Sequence, residues 1–350
     1  MRAKINIYTM LKTLLFTIQN GKNISSGMQI LCNSTSSTKE KKIYNEIYNN
    51  LRDGISFSEA ISKQKITSKD TIEFIAMAEK GVNFKNSLEK IVHYLEVKET
   101  FKRESSDKTS LPTIYFLIAS IVVIGIKFIA VPMQIERSLD YSKEIIILIS
   151  NHLAIAQLLT NILFTLLIFF GGYFLILLIA LFDKSYNIQN KAKKIALLLP
   201  FASIIVLKFE KFALFSMLSE MLLSGITYKN ALQSGIHSTS VKKFQVAIFQ
   251  TLNHIKKDGK FIYHPFLYEP IERELLAGIG SSKQLGLVMQ EISSRAKTEA
   301  MELSTKFFRM VTFVSIFLMA FAVFIEFYTV VLTQIIIQKG MIDASKGVVF

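Results

Sequence analysis

Tryptophan is absent from the 350 residues, there is a single cysteine, Cys32, and histidine occurs five times. One cysteine allows neither an intrachain disulfide nor a classical Cys-ligated zinc site, so a reducing compartment is expected for the soluble parts. His93, His152, His237, His254 and His264 lack the i, i+4 pairing of a helical zinc site and read as surface or packing residues. No G-x-x-x-x-G-K-S/T loop is present to cradle phosphates, which argues against ATP hydrolysis by this chain. A Gly-x-Ser-x-Gly elbow is also missing, and Cys32 is placed in a Ser/Thr-rich loop with no histidine nearby, so nucleophilic catalysis is not expected. Gly278-Ile279-Gly280 has two glycines of a dinucleotide fingerprint but follows no buried strand, which favours a turn or helix packing. No cofactor or metal is expected. Lys12, Gln19, Asn20 and Lys22 interrupt the early apolar positions, so no cleaved signal is expected. Sustained period-two alternation is lacking too, which leaves helix as the building element.

What the chain does contain is apolar and basic: 51% of residues are hydrophobic, 28 are Phe, and the net charge is +14. Such a composition belongs to a membrane protein with attached domains. A hydrocarbon core of roughly 30 Å needs about 20 helical residues. Three stretches qualify, giving an all-α polytopic protein. Its expected order is a first helical module over 1–110, a span at 113–131, an extracytoplasmic loop and helix entry at 132–160, and a span at 161–182. A second helical module over 195–310, a span at 311–337 and a tail at 338–350 complete it. The shorter run from Ile195 to Leu207, holding Pro200, reads as a membrane-face helix or an entry to the second module.

Orientation follows the Lys and Arg bias of the flanks. Lys98, Lys102, Arg103 and Lys108 precede the first span, and Lys184, Lys191, Lys193 and Lys194 follow the second, against Arg137 and Lys143 between them. Arg295, Lys297, Lys306 and Arg309 precede the third. Both modules are therefore expected in the cytoplasm and the C-terminus outside. Anchoring to anionic lipid accounts for the positive charge, and nucleic acid is not expected as a partner.

The segments before the first and third spans resemble each other at a nearly constant offset. Tyr8, Leu11, Leu15 and Ile18 before Asn20-Gly21 parallel Phe212, Phe215, Ser219 and Leu222 before Ser224-Gly225, each with glycine at a likely helix C-cap. Asp53-Gly54 then stands against Asp258-Gly259, and Ala78-Glu79-Lys80-Gly81 against Gly278-Ile279-Gly280-Ser281. Long amphipathic helices, Asn86 to Glu104 and Gln284 to Arg309, lead into the spans. Duplicated modules explain the shared order; chance recurrence of glycines after amphipathic helices is the alternative.

Three charges call for a reading. Glu79, before a glycine on an apolar helix, reads as a solvated acid in a last turn, against the interface or cation-binding acid that the family resemblance described below implies. Lys127 and Glu326 are charges inside spans, where their cost makes them functional candidates. At 1.5 Å per residue both lie roughly 21 to 23 Å from the inner surface. Either they pair and fix the first span beside the third, or Lys127 snorkels outward while Glu326 faces a polar neighbour.

From about Tyr8 to Ile337 the chain resembles the GspF/PilC family of platform proteins of type II secretion and type IV pilus machines. The stretch Leu222-Leu223-Ser224-Gly225-Ile226 and its first-module equivalent Asn20-Gly21-Lys22-Asn23-Ile24 are similar to the family's helix-ending motif. Ala78-Glu79-Lys80-Gly81 is similar to its Gly-Glu-x-Ser-Gly signature shortened by a residue, and Gly278-Ile279-Gly280-Ser281 to the same signature without its acid. Pro112 before the first span, Pro132 after it and Pro200 opening the second module resemble further landmarks, although no glycine closely follows Pro200. The resemblance implies a non-enzymatic inner-membrane oligomer placed between a hexameric assembly ATPase, pilin-like subunits and other inner-membrane assembly proteins. A transporter or channel subunit is the competing class; it would want more spans or broken helices with polar groups at the midplane.

Overall fold

The computed structural model describes residues 5–81, 83–139, 143–182, 186–258 and 263–345, and among these there is helix and turn but no strand. The first six helices are α1 (Ile7–Gln19), α2 (Ile24–Ser34), α3 (Thr38–Arg52), α4 (Phe57–Gln64), α5 (Lys69–Lys80) and α6 (Phe84–Asp107). After them come α7 (Ser110–Gly125), a π-helical turn (Ile126–Ala130), α8 (Val131–Ser138), α9 (Lys143–Phe182) and α10 (Tyr186–Ala196). The last five are α11 (Ala202–Leu223), α12 (Tyr228–Ser238), α13 (Lys242–Asp258), α14 (Pro270–Ala277) and α15 (Ser282–Ser345).

Local chemistry sets the boundaries. Asn6 and Asn23 start α1 and α2 by accepting from the Thr9 and Ser26 amides at 3.2 and 2.8 Å, meeting N–H groups that a helix start leaves without partners. Gly21 and Gly225 end α1 and α11 at φ +77° and +92°. In each, the next amide reaches back a full turn, Lys22 to Thr17 and Ile226 to Met221. A residue with a Cβ would be strained there. Gly54 closes α3 in the same way at φ +80°. Cys32 lies buried within α2, not in a loop: Met28, Leu31 and Cys32 share one face of the helix, and its Ser and Asn neighbours point outward.

The chain divides into two compact bodies. The first comprises Met1–Arg103, Lys184–Asn190 and Leu197–Met301. Here the modules expected as separate bundles share one hydrophobic core, in which Leu14, Met28 and Phe74 belong to the same cluster as Phe215, Leu232 and Met289. They join where α5 packs on α12 and where Phe101 of α6 meets Phe212 of α11, ring centroids 4.4 Å apart.

The second body comprises Glu104–Asp183, Lys191–Ala196 and Glu302–Phe350. Among the described residues it is built on three helices long and apolar enough to cross a membrane. Helix α7 lies against α9 because Gly171 has no side chain; a Cβ there would come within 2.8 Å of the Phe116 ring. Gly172 faces open space, so of the two glycines only Gly171 serves packing within this bundle. Most of 132–160, expected as loop and helix entry, is helical. With 40 residues, α9 is twice the length a bilayer core demands. Ile149 and Leu153 of its first half pack with Ile337, so this segment is amphipathic helix despite its Ser, Asn and His residues.

Candidate functional site

Within the span body the first apolar helix departs from regular geometry at Lys127. Pro132 has no N–H to give the Phe128 carbonyl, and one residue earlier the Val131 amide bonds Ile126 O, five positions back. From the resulting π turn the Lys127 ammonium donates to Asn161 Oδ1 on α9. It lies 4.8 Å from the centre of the Phe164 ring and 5.7 Å from that of Phe128. A neutral amide and two ring faces replace part of the hydration an ammonium loses in a span, without cancelling its charge. The cleft around it, about 350 Å³, is lined by Lys127, Pro132, Glu136, Gln157, Thr160 and Asn161. Gln157, Asn161 and Thr165 continue at helical spacing into a neighbouring groove of about 510 Å³.

Glu326 is not the partner of Lys127 in this structure. Its Oε2 is buried and has no hydrogen-bond partner among the described residues. Equal depth along two helices does not fix which face each side chain leaves from, so depth alone left both arrangements open. Next to it on α15, Tyr328 meets His152 of α9 at 3.1 Å.

The first body carries its polar groups as clusters threaded through the core. Glu79 is half-buried and caps α4, accepting from the Phe57 and Ser58 amides at 2.5 and 3.0 Å and from the Ser58 hydroxyl. Asp70 takes bonds from Lys98 at 2.5 Å and from the Tyr94 hydroxyl. Burial alone would raise its pKa, but the Lys98 charge and the bonds from Lys98, Ser68 and Tyr94 together bring it down to about 2. Glu220 of α11 receives His93 Nδ1 at 2.7 Å, with Lys90 at 3.7 Å, tying α6 to α11. Lys211 is held by both carboxylate oxygens of Glu272 at 2.8 Å, and Lys208 bridges Glu269 and Glu299. The bond from Lys208 is the main reason the Glu269 carboxyl titrates below its ordinary range.

The other sequence landmarks are structural. Gly81 and Gly278 cap α5 and α14 with ordinary negative φ, Gly280 sits in an exposed turn with room for a side chain, and Gly259 lies outside the described residues. Pro112 is buried in the first turn of α7, and Pro132 occupies the first turn of α8. Pro200 lies at the break before α11, where Phe201 takes φ +60°. Asn161, Gln157 and Glu220 were not singled out from the sequence. The amides recur at helical spacing on an otherwise apolar helix, a usable signal; nothing in the sequence around Glu220 distinguishes it.

These features define an all-α, polytopic membrane protein with a polar cleft in its spans and buried charge clusters in its helical body. Residues 10–132 match the family described as Type II secretion system (T2SS), protein F, the domain a GspF/PilC-family member carries. The match takes in the first module, the first span and Pro132. No curated protein matches the chain. The match covers about a third of the chain and, among the described residues, accompanies three helices long and apolar enough to cross a membrane.

Proposed function

We propose that the chain is a non-enzymatic platform of a type IV pilus or type II secretion machine, coupling a cytoplasmic assembly ATPase to the insertion of pilin-like subunits. The match over residues 10–132 carries this reading. Element order supports it: α15 runs unbroken from Ser282 to Ser345, through the last core positions of the helical body and the third apolar stretch. We read the two modules as a duplication, both on the cytoplasmic side, where they take up motion of the ATPase. The apolar span faces receive hydrophobic helices of the subunits, with Lys127 and Asn161 giving that surface a cationic contact.

Because the modules share a core, deleting either one would unfold the other, so the test uses the whole chain. Reconstituted in nanodiscs, it should saturably bind a purified hexameric assembly ATPase from the same organism. Two well-folded proteins that fail to associate would end the proposal. The row of Gln157, Asn161 and Thr165 in the groove along α9 favours one rival, a transporter or channel subunit; solute flux through vesicles carrying the pure protein would decide for it.

A further inference from the structure

Each module has the same two faces, and within one chain only one of each is covered. Counting from Gly21 and Gly225, Phe16 and Glu220 occupy equivalent places, as do Ile30 and Ser234. Glu220 and Ser234 are 4% and 0% exposed, in the two helices α11 and α12 that meet α6 and α5 of the first module. Their first-module equivalents are open and apolar: Phe16 is 68% exposed and Ile30 41%. The covering face repeats as well. Aligning buried Thr71 and Ile75 of α5 with buried Glu272 and Leu276 of α14, one residue on from the register the glycines suggest, pairs Phe74 with Leu275. Phe74 is fully buried, whereas Leu275 is 45% exposed and Ile271, on the same side of α14, 50%.

We propose that α14 of one copy docks on the α1–α2 face of a second copy, with Leu275 and Ile271 meeting Ile30 and Phe16. The contact repeats between chains the one that α5 and α6 make on α11 and α12 within a chain. The occupant is a second copy because the exposed positions are those whose equivalents an internal interface already buries. An apolar pair on each side is also what an interface core requires. The contact is head to tail in kind, and copies related by an axis along the membrane normal close it into a dimer or ring. The inference rests on the duplication proposed above.

Two differently tagged full-length chains, both Cys32→Ala, one with Ile30→Cys and the other with Leu275→Cys, are coexpressed and oxidised in membranes. A disulfide-linked species carrying both tags is expected, well above that of an Ile30→Cys chain with a Glu59→Cys chain. Ile271→Asp with Leu275→Asp should weaken self-association in nanodiscs by roughly tenfold or more, since an aspartate must then be buried in an apolar contact. An internal control in one chain, His93→Cys with Glu220→Cys joined by a short bis-maleimide, reports the template, because these side chains meet at 2.7 Å. If the control forms and the interchain link does not, the docking falls and the duplication stands; if the control fails, the register and the proposal fall together. Equal linking by the Glu59→Cys pair, or full assembly after the double aspartate change, would also overturn it.

Discussion

Single side chains in the helical body convert pH into stability. Asp70 has a folded-state pKa of about 2 against 3.8 for the free group, worth about 2 kcal/mol. Because the folded value is depressed, this stability is fully present above about pH 4 and is lost as the pH falls toward 2. Asp70→Asn is expected to lower stability by about that amount at neutral pH, since it also leaves Lys98 without its anion. The difference between wild type and variant should shrink between pH 4 and 2, read by circular-dichroism melts of the detergent-solubilised protein. A gap that stays constant to pH 2 would show that Asp70 does not titrate as argued. Glu79 acts through its hydrogen bonds: Glu79→Ala strips three bonds from the start of α4, at a cost of about 1–2 kcal/mol. Glu79→Gln, which keeps one acceptor oxygen, should recover part of it in the same melts.

One element boundary is strained. Helix α11 opens on Phe201 at φ +60°, ψ −48°, a backbone conformation that costs a residue with a Cβ roughly 1–3 kcal/mol. Its ring is exposed, so removing it loses little packing. Phe201→Gly should therefore raise the melting temperature by about 2–4 °C, whereas Phe201→Ala, which keeps the Cβ, should not. An equal response of the two would place the benefit in the side chain and not in the backbone. Helices and their ends were legible in the sequence where they depend on neighbours in the chain. The three apolar runs, and glycines such as Gly21, Gly54 and Gly225 after amphipathic stretches, needed no tertiary information. What escaped depends on which distant element arrives. Glu79 reads as a last-turn acid until α4 is brought to it. Cys32 reads as loop until α1 and α2 close on Gly27, whose Cβ would come within 2.6 Å of Leu14. Asn161 opens the expected second span, and its role appears only when the π turn delivers Lys127.

For the molecule as a whole, the count of crossings between the modules decides the topology. If α7 and α9 each cross the bilayer once, α9, unbroken from Lys143 to Phe182, returns the chain to the side it started from. Two crossings would put the second module on the side of the first, the arrangement that the Lys and Arg bias at the flanks predicts. Each such residue near an anionic surface is worth about 1 kcal/mol, so the clusters around the first and second spans favour one orientation strongly. Reporter domains fused at residues 60 and 250 should therefore both be active on the cytoplasmic side, and one fused at residue 137 only outside. Residues 60 and 250 on opposite sides would require an odd number of crossings between them. The shared core of the two modules could not then form, because Ala60 and Leu252 belong to the same buried cluster.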